Sequence, residues 1–285
     1  MAILTLDQVM AKADSLPALP QIVIRILDDL ANDQANVETL SGHVASDPAI
    51  VARLLSAANG AGVAHGNRVV SVRQAMMLLG VARVRNIVMT TAIIDRFKTA
   101  STFDSQRLWL HSVGVAICAQ HIAEKGGVDP DAAYTAGLLH DVGQLLLFAV
   151  DSAAYSEAMK LRREKDLDVI TAERECFGID HAQVGGELAK LWHLPETVAD
   201  GIAGHHASDE VTPETEIADA IHIAEVLAHA LDLGHVPGDR DTEGPRVPYL
   251  SDISCARMGI EWPDMIELFP QIEARFDCAR LTLGV

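Results

Sequence analysis

The run Gly137 to Leu147, GLLHDVGQLLL, sets His140 and Asp141 side by side in an almost unbroken apolar stretch. An ionisable pair in such a place is costly unless something compensates it. More imidazoles stand along the chain. His111 sits on an apolar helical face beside Trp109 and Val113, His181 opens a helix, and His205 and His206 close another. His222 and Glu225 share a helical face at i, i+3. Imidazole and carboxylate are the donors that hard-to-borderline divalent metals prefer.

Each histidine alone also has a plainer reading, a hydrogen bond to a backbone carbonyl or a neighbouring side chain. His205 and His206 read equally as a solvent-facing pair favoured by a helix C-terminus. His222 and His229 read as structural or surface residues, and Glu225 stays ambiguous. The plain reading is weakest for His140 and Asp141. If both lie on one continuous helix they diverge by roughly 100°, so each needs a partner elsewhere. A metal held between helices would satisfy both. Gly137 and Gly143 flank the pair and would let another helix approach closely.

The elements that must position these residues read as helices. LPALPQIVIRILDDLAND spaces Ile22, Ile24, Leu27 and Leu30 for a helix behind Pro20. Ser46 or Asp47 can cap a helix with Pro48 at its first position, and Ser71 can cap another that breaks at Gly80. SQRLWLHSVGVAICAQHIAEKGG stops at Gly126-Gly127, and DPDAAYTAGLLHDVGQLLLFAV is expected as one helix capped near Asp129 or Asp131. Further helices are expected in DSAAYSEAMKLRREKDL, DHAQVGGELAKLWHL, PETVADGIAGHHA and PETEIADAIHIAEVLAHALDLG. Residues 235–250 form a loop rich in glycine, proline and charge, followed by two or three short helices. Period-2 alternation is missing over any useful length, so the fold class is all-α, with a boundary near 100–108.

Composition narrows the function classes. The chain has 285 residues, 49% of them hydrophobic and only 4% aromatic, which suits an aliphatic helical core. A net charge of −18 repels phosphate backbones and few aromatics serve as stacking platforms, so no nucleic-acid polymer is expected as partner. Cys118, Cys176, Cys255 and Cys278 lie far apart and read as core residues of a reducing compartment. The N-terminus MAILTLDQVM has no basic region ahead of an apolar run, and the apolar stretches read as far short of a membrane span. The expected location is cytoplasmic.

The order His111, His140-Asp141, His181, His205-His206 and Glu225 resembles the HD superfamily of metal-dependent phosphohydrolases, in particular HD-GYP proteins and their relatives, the HDOD family. The N-terminal half decides between the two. LPALPQIVIRIL, ASDPAIVARLLSAANGAG and SVRQAMMLLGVARVRNIV are similar to the HDOD pattern, and the likeness runs from about residue 10 to residue 235. It implies a multi-helix HDOD fold with its N-terminal helical part in 1–105 and an HD-like core in 106–235. A C-terminal loop and short helices, 236–285, would pack on that core. It further implies bacterial signalling or regulation, often without demonstrated activity, and ligands for a dinuclear centre. On that analogy His111, His140 and Glu225 hold one ion, His181, His205 and His206 the other, and Asp141 bridges. Iron, manganese, zinc or nickel suits such donors better than magnesium.

The departures from the pattern carry weight. The HD-GYP motif runs H-D-I/V-G-K, and here Gln144 stands at the lysine position. No G-Y-P loop follows the paired histidines in HHASDEVTPETE, and no lysine follows Lys190. Arg107 stands where some HD-GYP proteins have a further glutamate ligand, against a third metal. Two functions follow. One is a regulatory HDOD module that holds metal and acts on other signalling proteins, with a nucleotide as a ligand. The other is a phosphohydrolase acting on a nucleotide or cyclic dinucleotide, with Asp141 as the catalytic metal bridge.

Overall fold

The computed structural model describes residues 3–31, 37–45, 47–60, 69–98, 105–206, 215–234 and 249–283. Every regular element among them is helical. A short α1 (Leu6–Met10) is followed by α2 (Gln21–Ala31), α3 (Val37–Ala45), α4 (Pro48–Gly60), α5 (Val72–Leu79) and α6 (Val81–Lys98). Next come α7 (Ser105–Gly126), α8 (Pro130–Leu139), α9 (Val142–Val150), α10 (Ser152–Lys165) and α11 (Val169–Phe177). The chain continues with α12 (His181–Leu191), α13 (Glu196–Gly204), α14 (Glu216–Ala230), α15 (Asp252–Met258) and α16 (Trp262–Leu283).

The chain divides into two compact units. One comprises Met1–Ala18 and Ala100–Phe269, the other Leu19–Thr99 and Pro270–Val285. In the second unit α2 packs on α6, and α4 packs on α5 and α6. Local chemistry sets its helix ends. Ser71 and Gln74 form a reciprocal capping box at the start of α5, and Gly80 ends that helix at φ 81°. Asp47 caps α4 by accepting from the backbone N–H groups of Ala49 and Ile50. Ser46, the other candidate cap, lies outside the described residues.

The first unit is built on α7, α8 and α14, with α12 and α13 completing the layer. In α14 every residue from Ile217 to Ala228 is buried, so its polar residues Asp219, His222 and Glu225 must find partners inside the protein. Asp219 accepts from Arg257 Nε at 2.6 Å, and His222 Nε2 accepts the Ser251 backbone N–H at 3.3 Å. His222 is therefore structural, tying the start of α15 to α14.

The structure corrects three expectations. Residues 129–150 are not one helix. Asp129 caps α8 as expected, but the helix ends at Leu139 and α9 starts at Val142, with His140 and Asp141 as the junction. The polar pair needs to face one centre, which neighbours on a continuous helix cannot do. Most of the expected loop at 235–250 lies outside the described residues, and the described part of the tail holds one seven-residue helix and one 22-residue helix that continues through Pro270, not a series of short ones. Pro130–Val150 is also longer and more apolar than the sequence reading allowed. It is long and apolar enough to cross a membrane, yet 78% of its apolar window is buried inside the fold, as befits a core segment.

Candidate metal centre

The α8–α9 junction is held close to α12 by Gly143. A Cβ there would collide with the backbone carbonyl of His181 and the N–H of Gly185, so only glycine permits this approach. Gly137 plays the same part on the other side, against the backbone of Ala116 in α7.

Two helix ends present histidine in the same way. His140 follows the last residue of α8 and its Nδ1 lies 2.8 Å from the Gly137 carbonyl. His205 follows the last residue of α13 and its Nδ1 lies 2.6 Å from the Ile202 carbonyl. Carbonyl oxygens only accept, so each Nδ1 carries a proton. In the neutral ring that leaves Nε2 as a lone pair aimed inward. Both rings are wholly buried, and neither Nε2 has a hydrogen-bond partner.

Around these atoms the structure gathers all seven candidate residues. His140 Nε2 lies 3.4 Å from Asp141 Oδ2 and 3.4 Å from Glu225 Oε1. His111 Nε2, from α7, lies 3.7 Å from Glu225 Oε1 and 4.0 Å from Asp141 Oδ2. On the other side Asp141 Oδ1 lies 3.1 Å from His181 Nε2, which is 3.2 Å from His206 Nε2. Three ligand groups emerge, each with donor atoms within 4.8 Å of one another: His181, His205 and His206; His111, His140 and Asp141; and His140, His205 and Glu225. Donor atoms this close together could share a cation. His140, His181 and His205 form the buried floor, while the His111 and His206 side chains are 19% and 25% exposed.

The electrostatics match. Burial alone would lower the pKa of His140, but Asp141 and Glu225 outweigh it and raise it to about 10. Burial would raise the carboxyls of Asp141 and Glu225, but the histidines around them hold both well below the usual range. His205, buried and facing other imidazoles, is held low, and burial lowers His206 to about 4. The cluster thus joins ionised carboxylates to two imidazoles that they hold in the charged form, His140 and His181, and to two that burial keeps neutral, His205 and His206.

Two further residues at this site, Glu173 and Tyr155, escaped the sequence reading, and a third, His229, was read there as structural or surface. Glu173, on α11, accepts the His181 backbone N–H at 2.8 Å and faces His181 Nδ1 at 2.7 Å. Its only sequence signal is its position, a carboxylate on the helix stripe of Ile170 and Phe177, all three buried. Tyr155 donates to Gln144 Oε1 at 2.7 Å, and Gln144 Nε2 donates to Asp141 Oδ1 at 2.7 Å. Burial, with Glu173 and Asp141 nearby, pushes the Tyr155 phenol up, so it stays protonated as this bond requires. His229, read as structural, binds the Glu225 carbonyl through Nδ1 and packs its ring edge-on to His111 at 5.1 Å.

The HDOD domain family model matches residues 16–208. The chain belongs to the HDOD family. Among solved HDOD structures, a Geobacter sulfurreducens HDOD domain protein of unknown function is 29% identical, with a TM-score of 0.78 over 98% of this chain and 97% of that one. A Shewanella amazonensis protein provisionally named a phosphohydrolase is 26% identical, with a TM-score of 0.75 over 96% of this chain and 97% of that one. A Clostridium perfringens protein named Ribonuclease Y is 27% identical over 173 residues, 59% of this HDOD chain and 27% of its own length. The first-matched curated relatives are much longer, and the chain spans 20% to 38% of their length.

Proposed function

We propose that this HDOD protein is a regulatory, signal-transducing module whose helical core holds two divalent metal ions. The observation that carries this reading is the wholly buried Nε2 of His205, which lacks any hydrogen-bond partner and belongs to two of the ligand groups, with His181 and His206 and with His140 and Glu225. A lone pair sealed from water costs free energy unless a cation or a donor meets it. His111, His140 and Glu225 would hold one ion, and His181, His205 and His206 the other. Asp141 suits the bridge because Oδ2 faces His140 while Oδ1 faces His181. The donor set, imidazoles with few carboxylates, favours iron, manganese, zinc or nickel over magnesium.

The regulatory reading rests on how the site's own residues are committed. Gln144 spends its amide on Asp141 and its carbonyl on Tyr155, so it offers no cation to a phosphate. A chain with net charge −18 and no lysine after Lys190 also holds polyanions poorly. Its partners would be other signalling proteins in the bacterial cytoplasm, with a small nucleotide as ligand. Metal analysis of the full chain purified without chelator tests the reading. About two ions per chain are expected, and fewer than about one would overturn it.

A second reading, phosphoester hydrolysis, draws support from the partial exposure of His111 and His206, which opens one side of the floor to a substrate. It also fits the names carried by the Shewanella and Clostridium relatives. Bound ions would supply Lewis-acid polarisation of a phosphoryl oxygen. The protein would supply a fixed Asp141, held by Gln144, and a buried imidazole floor that keeps water from the far side. Phosphodiester turnover with iron or manganese, abolished in Asp141→Asn, would establish this activity. An inert wild type would leave the regulatory module alone.

A further inference from the structure

Glu173 is wholly buried, and it spends one oxygen, Oε2, on both the backbone N–H and Nδ1 of His181. Its other oxygen, Oε1, is buried with no hydrogen-bond partner. Local structure explains how it gets there. Gly178, at φ 84°, ends α11, and Asp180 caps α12 through the Gln183 N–H while accepting from Arg174 Nε at 2.8 Å. This tight turn folds the buried stripe of α11 back on the first residue of α12.

A buried carboxylate with an idle oxygen is an expensive way to hold one ring. The other buried floor histidines manage with neutral carbonyl acceptors, Gly137 for His140 and Ile202 for His205. A charged acceptor at Nδ1 does two things a carbonyl does less well. It fixes the tautomer with Nε2 free, and it raises the basicity of that nitrogen as a ligand.

We propose that Glu173 is a positioning residue that makes the two ion positions unequal. Through His181 it strengthens the His181–His205–His206 position, which fills first and holds its ion more tightly than the position at His111, His140 and Glu225. This inference rests on the two-ion reading above.

The test is titration of metal-free full-length protein with Co2+, followed by calorimetry and by the cobalt absorption spectrum. Wild type is expected to fill in two unequal steps. Glu173→Gln keeps the side-chain volume but removes the charge, and should weaken the first step roughly 10- to 100-fold while sparing the second. Its metal-free unfolding midpoint serves as the control for a merely structural effect. An unchanged first step, or equal weakening of both steps, would overturn the proposal. A wild type that takes up no cobalt would instead refute the two-ion reading itself. If Glu173→Gln does not fold, long-range 1H–15N NMR of the zinc-loaded wild type decides the matter. His181 must carry its proton on Nδ1, shifted further downfield than those of His140 and His205, and an unshifted or Nε2-bound proton refutes the role assigned to Glu173.

Discussion

Gln144 donates from Nε2 to Asp141 Oδ1 across 2.7 Å, one helical turn along α9 from the α8–α9 junction. That single bond fixes which way the aspartate turns, and Tyr155 in turn fixes Gln144. Gln144→Leu keeps the approximate size of the side chain but removes the hydrogen bonds to the Tyr155 hydroxyl and to Asp141 Oδ1. A loss of about 1–3 kcal/mol is expected in urea unfolding of the metal-free protein. Tyr155→Phe should cost less, because it strands only the Gln144 carbonyl. An equal or larger cost for Tyr155→Phe would contradict this hierarchy.

Asp141→Asn removes the carboxylate whose two oxygens lie nearest His140 and His181, one on each side, while preserving shape. Metal affinity should fall by more than the roughly 10- to 100-fold seen when outer partners of ligands are changed. Dialysis against a fluorescent chelator measures this directly. Retention of wild-type stoichiometry at wild-type affinity would rule out the bridge.

The pH dependence follows from the same residues. His140 in the metal-free fold is raised to about 10 by Asp141 and Glu225, against burial, which opposes it. Its ionised form therefore stabilises the fold fully below its unfolded value near 6.5 and loses that contribution as pH rises through about 10. Asp141 and Glu225 are held low, so their contribution is present above the usual carboxylate range and is lost as pH falls through their depressed values. Metal-free protein should thus be most stable between those limits. An ion binding to Nε2 of His140 and His181 must displace the protons held there. Calorimetric titrations near neutral pH, run in buffers of different ionisation enthalpy, should report net proton release, with tighter binding at about pH 8 than at about pH 6. Net uptake would contradict the assignment.

Gly143→Ala tests the helix contact beneath the site. The added methyl group would meet the His181 carbonyl, which is backbone and cannot swing aside. A destabilisation of about 1–3 kcal/mol is expected, together with weaker metal binding, since α9 and α12 carry the ligands on either side. Thermal unfolding with and without metal separates the two effects. A variant as stable as wild type would show that the helices can part freely.

Much of this was legible in the chain itself. Ser71, Asp47 and Asp129 cap the helices that their types and neighbours indicate, because capping is chemistry between residues two or three apart. The histidines stood out by type, the resemblance to the HDOD pattern selected the set of seven that includes Glu225, and these seven lie together in space. The break at His140–Asp141 was hidden, since it lies inside one apolar run with no proline to mark it. Glu173 and Tyr155 were hidden for a different reason. Their partners, His181 and Gln144, lie on other helices, and a buried carboxylate or phenol declares its partner only once the helices pack.

The α8–α9 junction has one more consequence, in the connectivity of the chain. The gathered donors run from His111 to Glu225, so ions bound there would close a loop through most of the first unit, much as a crosslink does. A tie across so long a stretch removes chain entropy from the unfolded ensemble and none from the folded one. Because the junction belongs to both α8 and α9, neither helix could unravel without giving up a ligand. Removing the ions would then weaken this unit as cutting a crosslink does, and a chelator would move its unfolding to lower temperature without itself unfolding the chain.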